Sequence, residues 1–371
     1  MWAEPGKVRS RLHVGLLVGL VAVLGWFLFF HATGRRHLWS PDEDEYIVVN
    51  REMVEDGHWI HPTANGKPYT IKPPLFNWLG SGVSVLAGGV SELTSRLPSA
   101  LAALAGLFLV WRLGRRMFGG RAGFIAALVL ATAPLYVEFA RWIQINMLST
   151  VLNLWVMSMF WWGFTTPRHR GVAYVLMYAA AGLGVLTMGP VNLVMPAVAI
   201  GTFLLVTRDL RHLLSMRIHW GILVVLAIAG PWYFTVCRRP EYREGLLVVT
   251  NLDRFFTDSV GHVRPFWYYL KSTPIYFLPW TLFLPSAVIA LRTSEGEEDK
   301  KPLLFLMTWA AAVLVFFSLS RTKRSEYLLP IFPALALLVG YVIDRGLTRG
   351  VHSGRWRSLL AWPARLTAVS A

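Results

Sequence analysis

A dense group of acidic residues stands beside the first apolar segment of this chain. Positions 42–45 read Asp-Glu-Asp-Glu, and Lys72 follows farther along the same polar stretch, in the rigid sequence Lys-Pro-Pro. Carboxylates take protons from nucleophiles or ligate divalent cations, and a lysine binds phosphate as a point charge. The residue types therefore predict that this loop carries the chemistry of the protein.

The acidic group has the pattern of a helix start. Ser40 fits the N-cap, Pro41 the first helical position, and Glu43 the third position of a capping box, so a helix is predicted from here to Gly57. Acidic residues in a first turn also satisfy the helix dipole, so a purely structural role for Glu43 stays open. For Asp42 a functional role is favoured, and the pair of Asp42 and Glu43 is a possible ligand set for a divalent metal.

The composition is that of a polytopic helical membrane protein. The 371 residues are 55% hydrophobic and 15% charged, with a mean hydropathy of +0.47. Apolar runs long enough to cross a bilayer recur along the whole chain. The net charge of +15 is explained by basic connectors on the cytoplasmic side, and no basic, aromatic-interleaved helix indicates nucleic-acid binding. The single Cys237 excludes an internal disulfide.

The order of apolar runs and basic connectors predicts the topology. Spans are predicted at 12–30, 97–114, 122–140, 148–165, 171–187, 190–207, 218–236, 270–291, 302–319 and 327–344. The arginine-rich connectors and the basic N-terminus all fall on the cytoplasmic side if the segment 75–91 does not cross. That segment is short and rich in glycine, so a re-entrant or surface-lying helix is predicted for it.

With this topology, the polar segments converge on the outer face of the plasma (inner) membrane. They include the acidic loop, the turn 141–146, the loop 238–265 and the segment 320–327. We predict one transmembrane domain over 1–371, in which 31–96 is an outer catalytic loop with juxtamembrane helices and 238–265 is a second outer loop.

An ordered set of motifs resembles a known family. The motifs are Asp42-Glu43-x-x-Tyr46, Arg51-Glu52-Met53, Gly57-His58-Trp59-Ile60, Asn65-Gly66-Lys67-Pro68-Tyr69, Lys72-Pro73-Pro74-Leu75, Arg96-Leu97-Pro98-Ser99-Ala100, Thr187-x-Gly189-Pro190, Pro231-Trp232-Tyr233, Pro265-Phe266-Trp267-Tyr268-Tyr269 and Ser320-x-x-Lys323-x-x-x-Tyr327-Leu328-Leu329-Pro330. In this order they are similar to the bacterial aminoarabinose transferase and protein mannosyltransferase-like group of GT-C glycosyltransferases.

The resemblance implies a fold and an activity. The fold would be an all-α, GT-C-like bundle of about 10–11 transmembrane helices. The activity would be transfer of a sugar from a polyprenyl-phosphate carrier to an envelope acceptor, which is lipid A, another glycan or a protein. Asp42 would be the catalytic acid or base, and Lys72 would meet the donor phosphate. Glu43, Tyr46 and Tyr327 match other motif positions.

The chain departs from the family pattern at two positions. Asn146, after Arg141, stands where a second acid is expected, and Met188 stands where a lysine is usual. Asparagine forms hydrogen bonds but supplies no charge to a metal, so no cofactor is certain and a divalent metal remains possible. The sequence also ends at Ala371 without the outer soluble domain of the long members, which indicates a short member or a fragment.

The proposed chemistry needs cations as well as a base. A polyprenyl phosphate leaving group gains negative charge as the glycosidic bond breaks, and fixed cations stabilise that charge. Outer-face cations are alternatively snorkelling anchors. The predicted substrate-binding residues are Glu43, Tyr46, Lys72, Arg141, Asn146, Arg254, Arg264, Lys323 and Tyr327.

Two other functions compete with this one. A lipid or sugar transporter would carry charges inside its spans and show internal repeats, whereas these spans are nearly free of charge. A noncatalytic family member is the second alternative, because of Asn146 and Met188. A nucleotide-sugar donor is unsupported, since no glycine-rich phosphate loop occurs.

Overall fold

The computed structural model of the chain describes residues 19–38, 41–246, 263–293 and 296–349, and these form a helical bundle. The helices are α1 (Gly19–Arg35), α2 (Pro41–Glu55), α3 (Leu75–Leu86), α4 (Glu92–Phe118), α5 (Gly120–Ala131), α6 (Pro134–Ala140), α7 (Ile145–Thr165), α8 (Arg170–Met188), α9 (Val191–Val206), α10 (His212–Ser215), α11 (Ile218–Val236), α12 (Pro240–Glu244), α13 (Tyr268–Tyr276), α14 (Leu284–Thr293), α15 (Glu297–Leu319) and α16 (Phe332–Arg349). Short 3₁₀ segments at Trp280–Phe283 and Ser325–Ile331 precede α14 and α16.

The described helices confirm a multi-pass membrane protein. Six of them are long and apolar enough to cross a bilayer, and eight are if each of two bent pairs counts as one span. Every span predicted from the sequence coincides with a helix or with such a pair within the described residues, and positions 12–18 of the first span lie outside them. The all-α, membrane-spanning fold class is therefore confirmed.

Two spans predicted as continuous are broken. The run 122–140 divides into α5 and α6 with a bend of 68°, and the run 270–291 divides at 277–279 with a bend of 106°. Pro134 and Pro279 stand at the two breaks. Proline lacks the backbone N–H and restrains the residue before it, so an apolar run that contains one at this place does not stay a single helix.

The segment 75–91 forms a helix too short to cross the membrane. Its helix, α3, has 12 residues and is therefore about 18 Å long, against a hydrocarbon core of about 30 Å. This length agrees with the prediction of a re-entrant or surface-lying helix.

Helices α4 and α5 pack closely because glycines face each other. A Cβ on Gly114 would lie 2.7 Å from the Cα of Gly123, so a side chain at either position would force the helices apart. Helix α16 packs against α5, and it is the most enclosed of the candidate spans. These closely packed helices hold the polar loops that connect them in fixed positions.

Buried amides tie the first loop to these helices. The Asn50 amide of α2 donates to Ser95 of α4 at 3.1 Å and accepts from Asn77 of α3 at 2.9 Å. Gly80 leaves room for Asn50, since a Cβ there would lie 2.6 Å from its amide nitrogen. Helices α2, α3 and α4 are thereby joined by hydrogen bonds at Asn50, about two turns after the acidic residues of α2.

Residues 63–68, between α2 and α3, form a two-stranded hairpin. Strands β1 (Thr63–Ala64) and β2 (Lys67–Pro68) pair antiparallel through the turn Asn65-Gly66. Both turn residues have positive φ, 53° and 69°, which fits the two-residue turns preferred by hairpins.

Candidate active site

The Asp42 carboxylate lies where three segments of the chain meet. Its Oδ2 accepts a hydrogen bond from the Arg324 guanidinium at 2.6 Å and from the Gln144 amide at 3.4 Å. The Asp42 side chain is 31% exposed, so it remains open on one side. Its position in the first turn of α2 places it at the positive end of the helix dipole, which favours a carboxylate.

Glu43 faces the opposite way, into the protein. Its carboxylate is fully buried and pairs with the fully buried Arg96 of α4, with a distance of 3.1 Å between Arg96 Nε and Glu43 Oε1. Arg36 also pairs with it at 3.2 Å, and the backbone N–H of Ile143 donates to it at 2.8 Å. Contact between Glu43 and a sugar donor would require these partners to move, so the geometry favours a structural role for Glu43.

The same pair orders the entry to α2. Arg96 donates to the backbone oxygens of Thr33 and Arg36, each at 2.7 Å, and to that of His37 at 3.3 Å. One guanidinium thus joins the end of α1, the connection 36–38 and the first turn of α2. Ser40, the predicted N-cap, lies outside the described residues.

The turn 141–146 reaches the Asp42 carboxylate through Gln144. The Asn146 amide donates to the side-chain oxygen of Gln144 at 3.2 Å, and the Gln144 amide donates to Asp42. Asn146, where the family pattern predicted a second acid, is therefore joined to the acidic loop by one intervening amide. Gln144 was not among the residues chosen from the sequence, because a glutamine between two apolar residues gives little signal.

Arg324, rather than its neighbour Lys323, contacts Asp42. Lys323 is almost fully buried, and its ammonium group donates to the backbone oxygens of Arg264, at 3.1 Å, and Ser320. Thr322 forms a β-bridge with Val263, and the backbone of Arg324 is extended. Neighbouring side chains of an extended segment point to opposite sides, so Lys323 turns inward and Arg324 reaches the site.

Electrostatics distinguish these two neighbouring cations. Burial lowers the pKa of the Lys323 ammonium below its usual value. Burial alone would also lower the pKa of Arg324, but the carboxylates of Glu326 and Asp42 outweigh it, so the pKa of Arg324 is raised. Arg324 contacts both carboxylates and is 32% exposed, which keeps a charged guanidinium at the open side of Asp42.

Tyr46 and Lys72 lie on two elements that touch. The Tyr46 ring, one turn after Asp42, packs edge-on against Phe76 of α3, with centroids 5.4 Å apart. Lys72 is half-buried in the turn that leads into α3. Tyr46 and Phe76 belong to a small apolar cluster, and Met188, which departs from the family pattern, packs against that cluster.

The remaining predicted residues differ in where they lie. Arg141 donates to the backbone oxygen of His31 at 3.0 Å, and Arg264 is exposed beside the Lys323 segment. The Tyr327 ring is stacked on Phe317 with centroids 5.2 Å apart, so it packs against α15. Arg254 lies outside the described residues. The structure thus brings Asp42, the turn 141–146 and the segment 320–326 together.

Comparison with known proteins agrees with this architecture. Residues 71–234 match the family model described as dolichyl-phosphate-mannose-protein mannosyltransferase. The undecaprenyl phosphate-alpha-4-amino-4-deoxy-L-arabinose arabinosyl transferase of Aeromonas salmonicida is 31% identical over 346 residues, which is 89% of this chain and 62% of that protein. The chain therefore spans less than two thirds of the length of this relative.

Solved structures extend the likeness to three dimensions. The crystal structure of ArnT from Cupriavidus metallidurans bound to undecaprenyl phosphate superposes with a TM-score of 0.83 and 29% identity, over 99% of this chain and 64% of that one. The chain is related to the GT-C glycosyltransferases of the aminoarabinose transferase group. An oligosaccharyltransferase from Archaeoglobus fulgidus, at 14% identity and a TM-score of 0.64 over 94% of this chain and 54% of that one, shares the fold.

The acidic pair Asp42 and Glu43 does not form a metal site in the described geometry. Asp42 is directed to Arg324 and Gln144, whereas Glu43 is directed to Arg96 and Arg36. Each carboxylate is thus engaged by guanidinium groups of its own, and the two do not face a shared cation. These residues do not fit a divalent ion.

A second group of acidic residues lies where the hairpin contacts the end of α2. Ligand atoms of Glu52, Asp56 and His58 lie within 4.8 Å of one another. Thr63 donates to Glu52 and contacts the His58 ring nitrogen at 2.7 Å, while the Gly66 N–H donates to Glu52 at 3.2 Å. These bonds account for the group as the attachment of the hairpin to the helix.

Proposed function

We propose that this protein transfers a sugar from a polyprenyl-phosphate carrier to an acceptor of the cell envelope, with Asp42 as the base. The observation that supports this most directly is the Asp42 carboxylate itself, which is partly exposed and is held by Arg324 and Gln144 at the junction of three loops. A base needs this combination of fixed position and access from one side.

The reaction is a displacement at the anomeric carbon. The acceptor oxygen forms a bond to that carbon while its proton passes to Asp42, and the bond between the anomeric carbon and the phosphate oxygen breaks. The electron pair of that bond leaves with the polyprenyl phosphate. A single displacement of this kind inverts the anomeric centre.

Arg324 is placed to serve the leaving group. It is shared between Asp42 and Glu326, so one guanidinium faces two carboxylates, and its side chain is still partly exposed. An approaching phosphate offers a bidentate arginine a stronger acceptor pattern than a single carboxylate oxygen. We propose that Arg324 contacts the donor phosphate together with Lys72, Arg264 and Arg254, of which the last lies outside the described residues, while Asp42 becomes free to take the proton.

We propose that the site faces the outer side of the plasma membrane. Basic connectors such as 112–121 and 208–217 would then lie in the cytoplasm with the N-terminus. The shortness of α3 supports this orientation, since a crossing at 75–91 would reverse every later connector. The acceptor would be lipid A, another envelope glycan or a protein.

Purified full-length chain tests the proposal. The chain is incubated with undecaprenyl-phosphate-linked sugars or nucleotide sugars, and with lipid A, glycan or peptide acceptors, and both the glycosylated product and the released undecaprenyl phosphate are measured by mass spectrometry. We expect equal amounts of product and undecaprenyl phosphate from the lipid-linked donors. Transfer from nucleotide sugars, or no transfer from any lipid-linked pentose or hexose, would contradict the proposal.

A further inference from the structure

A long apolar groove lies outside the site described above. It runs along α4 between α3 and α7, with a volume of about 610 Å³. Leu79 and Val83 of α3 line one end, and Arg112, Arg116 and Trp162 line the other. The distance along α4 from Pro98 to Arg116, both lining residues, is about 27 Å, which is close to the thickness of the hydrocarbon core.

The groove is open along the surface of the bundle that faces away from the protein core. Leu101 and Phe108 of α4 are each 49% exposed, and Trp155 of α7 is 38% exposed. Large apolar side chains left uncovered along a transmembrane helix face hydrocarbon. The groove therefore suits a flexible chain of lipid rather than a folded polypeptide.

The polar end of the groove is purely cationic. Among the described residues that line it, Arg112 and Arg116 are the charged ones, and none of the ion pairs within the described part of the chain involves either. They stand one helical turn apart on the same face, where like charges repel. An anion placed between them relieves that repulsion.

The surroundings of Arg116 have the character of a membrane interface. Its guanidinium donates to Thr166 at 2.8 Å and lies over the Trp162 ring, 5.4 Å from the centroid. Tryptophan is enriched at the level of lipid headgroups, and basic pockets between transmembrane helices bind anionic ones. The end of the groove thus combines a cationic pair with an interfacial aromatic ring.

We propose that this groove binds an anionic glycerophospholipid, with an acyl chain along α4 and the phosphate at Arg112 and Arg116. The phosphate of the sugar donor does not belong at this end of the groove, because it must reach the Asp42 site. Arg96, which holds that site together, is about 24 Å from Arg112 along the same helix. The lipid would join the two guanidiniums at the opposite end of α4 from the reaction.

Native mass spectrometry of the purified, delipidated full chain tests the proposal. The chain is titrated in detergent with dioleoylphosphatidylglycerol, dioleoylphosphatidylcholine or undecaprenyl phosphate. We expect the phosphatidylglycerol to bind most tightly. Loss of one arginine should weaken it about fivefold, and Arg112→Gln with Arg116→Gln about 30-fold.

Control variants separate the charge from the groove. Arg168→Gln removes an exposed arginine outside the groove and should leave the affinity within about twofold. Replacing both groove arginines by lysine should preserve the preference for the anionic lipid. Ala105→Phe fills the groove without changing any charge, and it should weaken binding of the same lipid.

Three results would overturn the proposal. Equal affinity for the zwitterionic lipid would show a non-selective lipid contact, and tighter binding of undecaprenyl phosphate would identify the donor carrier as the occupant. Unchanged affinity in Ala105→Phe would remove the groove from the interaction. That last variant decides the matter if the double glutamine variant does not fold.

Discussion

The buried pair of Arg96 and Glu43 gives the sharpest prediction about stability. Both side chains are fully buried, and Arg96 also donates to backbone oxygens of Thr33, Arg36 and His37. Arg96→Met would leave the Glu43 carboxylate without its main partner. Removing one partner of such a buried pair costs about 3–5 kcal/mol of unfolding free energy.

The measurement is denaturant unfolding of the detergent-solubilised chain, followed by far-ultraviolet circular dichroism. Arg121→Met is a matched control, because it removes the same side chain type from the pair with Asp344, in which Arg121 is 50% exposed. The control should cost less than about 1 kcal/mol. Equal small effects of the two methionine variants would refute the argument that burial makes the Arg96 pair essential.

A double variant tests whether the two buried charges act on each other. Glu43→Leu alone leaves Arg96 buried and uncompensated, whereas Glu43→Leu with Arg96→Met removes both charges. The double variant should therefore be less destabilised than the sum of the singles, by about 2 kcal/mol or more. Simple additivity would contradict the pairing.

Three further predictions concern the site, the pH dependence and the topology. Arg324→Gln should lower sugar transfer at least about tenfold and Arg324→Lys less, measured as release of polyprenyl phosphate, and equal activity of both with wild type would exclude Arg324 from the reaction. Burial and then the neighbouring Arg170 lower the pKa of His212, so the folded chain resists its protonation and loses stability as the pH falls below about 6.5. His212→Gln should flatten that part of the curve of unfolding free energy against pH, and an unchanged slope would reject the assignment. In a Cys237→Ser background, a cysteine replacing the exposed Lys67 should react with an impermeant thiol reagent outside whole cells, whereas one replacing Gly120 should not; the reverse labelling would invert the topology.

The sequence predicted the helices of the bundle better than their breaks. Apolar runs located the spans because a helix in hydrocarbon must satisfy its backbone internally, and composition reports this directly. The breaks at Pro134 and Pro279 were missed, because membrane helices tolerate proline where neighbouring groups compensate. Whether a given proline bends or divides a span depends on packing, which composition does not report.

The sequence also predicted which loops meet, but not which side chains do. The acidic first turn of α2 pointed to Asp42, and the structure shows its carboxylate in contact with segments far along the chain. Among neighbouring cations, Lys323 was chosen and Arg324 was missed. Their roles follow from the direction of an extended segment, and a list of residues does not contain that direction.

Glu43 is a second residue whose contacts the sequence did not predict. Adjacent acids in one motif look equivalent in sequence, and both were predicted to meet substrate or metal. In the structure they point to opposite sides of the first turn, one toward the open junction and one into a pair of arginines. The signal available beforehand was Arg96, an arginine directly before the apolar span 97–114, because a charge at that place calls for a partner.

The transfer rate of Asp42→Asn, measured beside Asp44→Asn, tests the central claim most directly. The two variants make the same chemical change two residues apart on α2, and Asp44 is exposed. Denaturant unfolding first shows that both variants have the unfolding free energy of wild type. Both are then assayed with a saturating concentration of a polyprenyl-phosphate-linked sugar. We predict that Asp42→Asn lowers kcat about 10²–10⁴-fold while Asp44→Asn stays within about twofold. A kcat for Asp42→Asn equal to that of Asp44→Asn would contradict the assignment of Asp42 as the base.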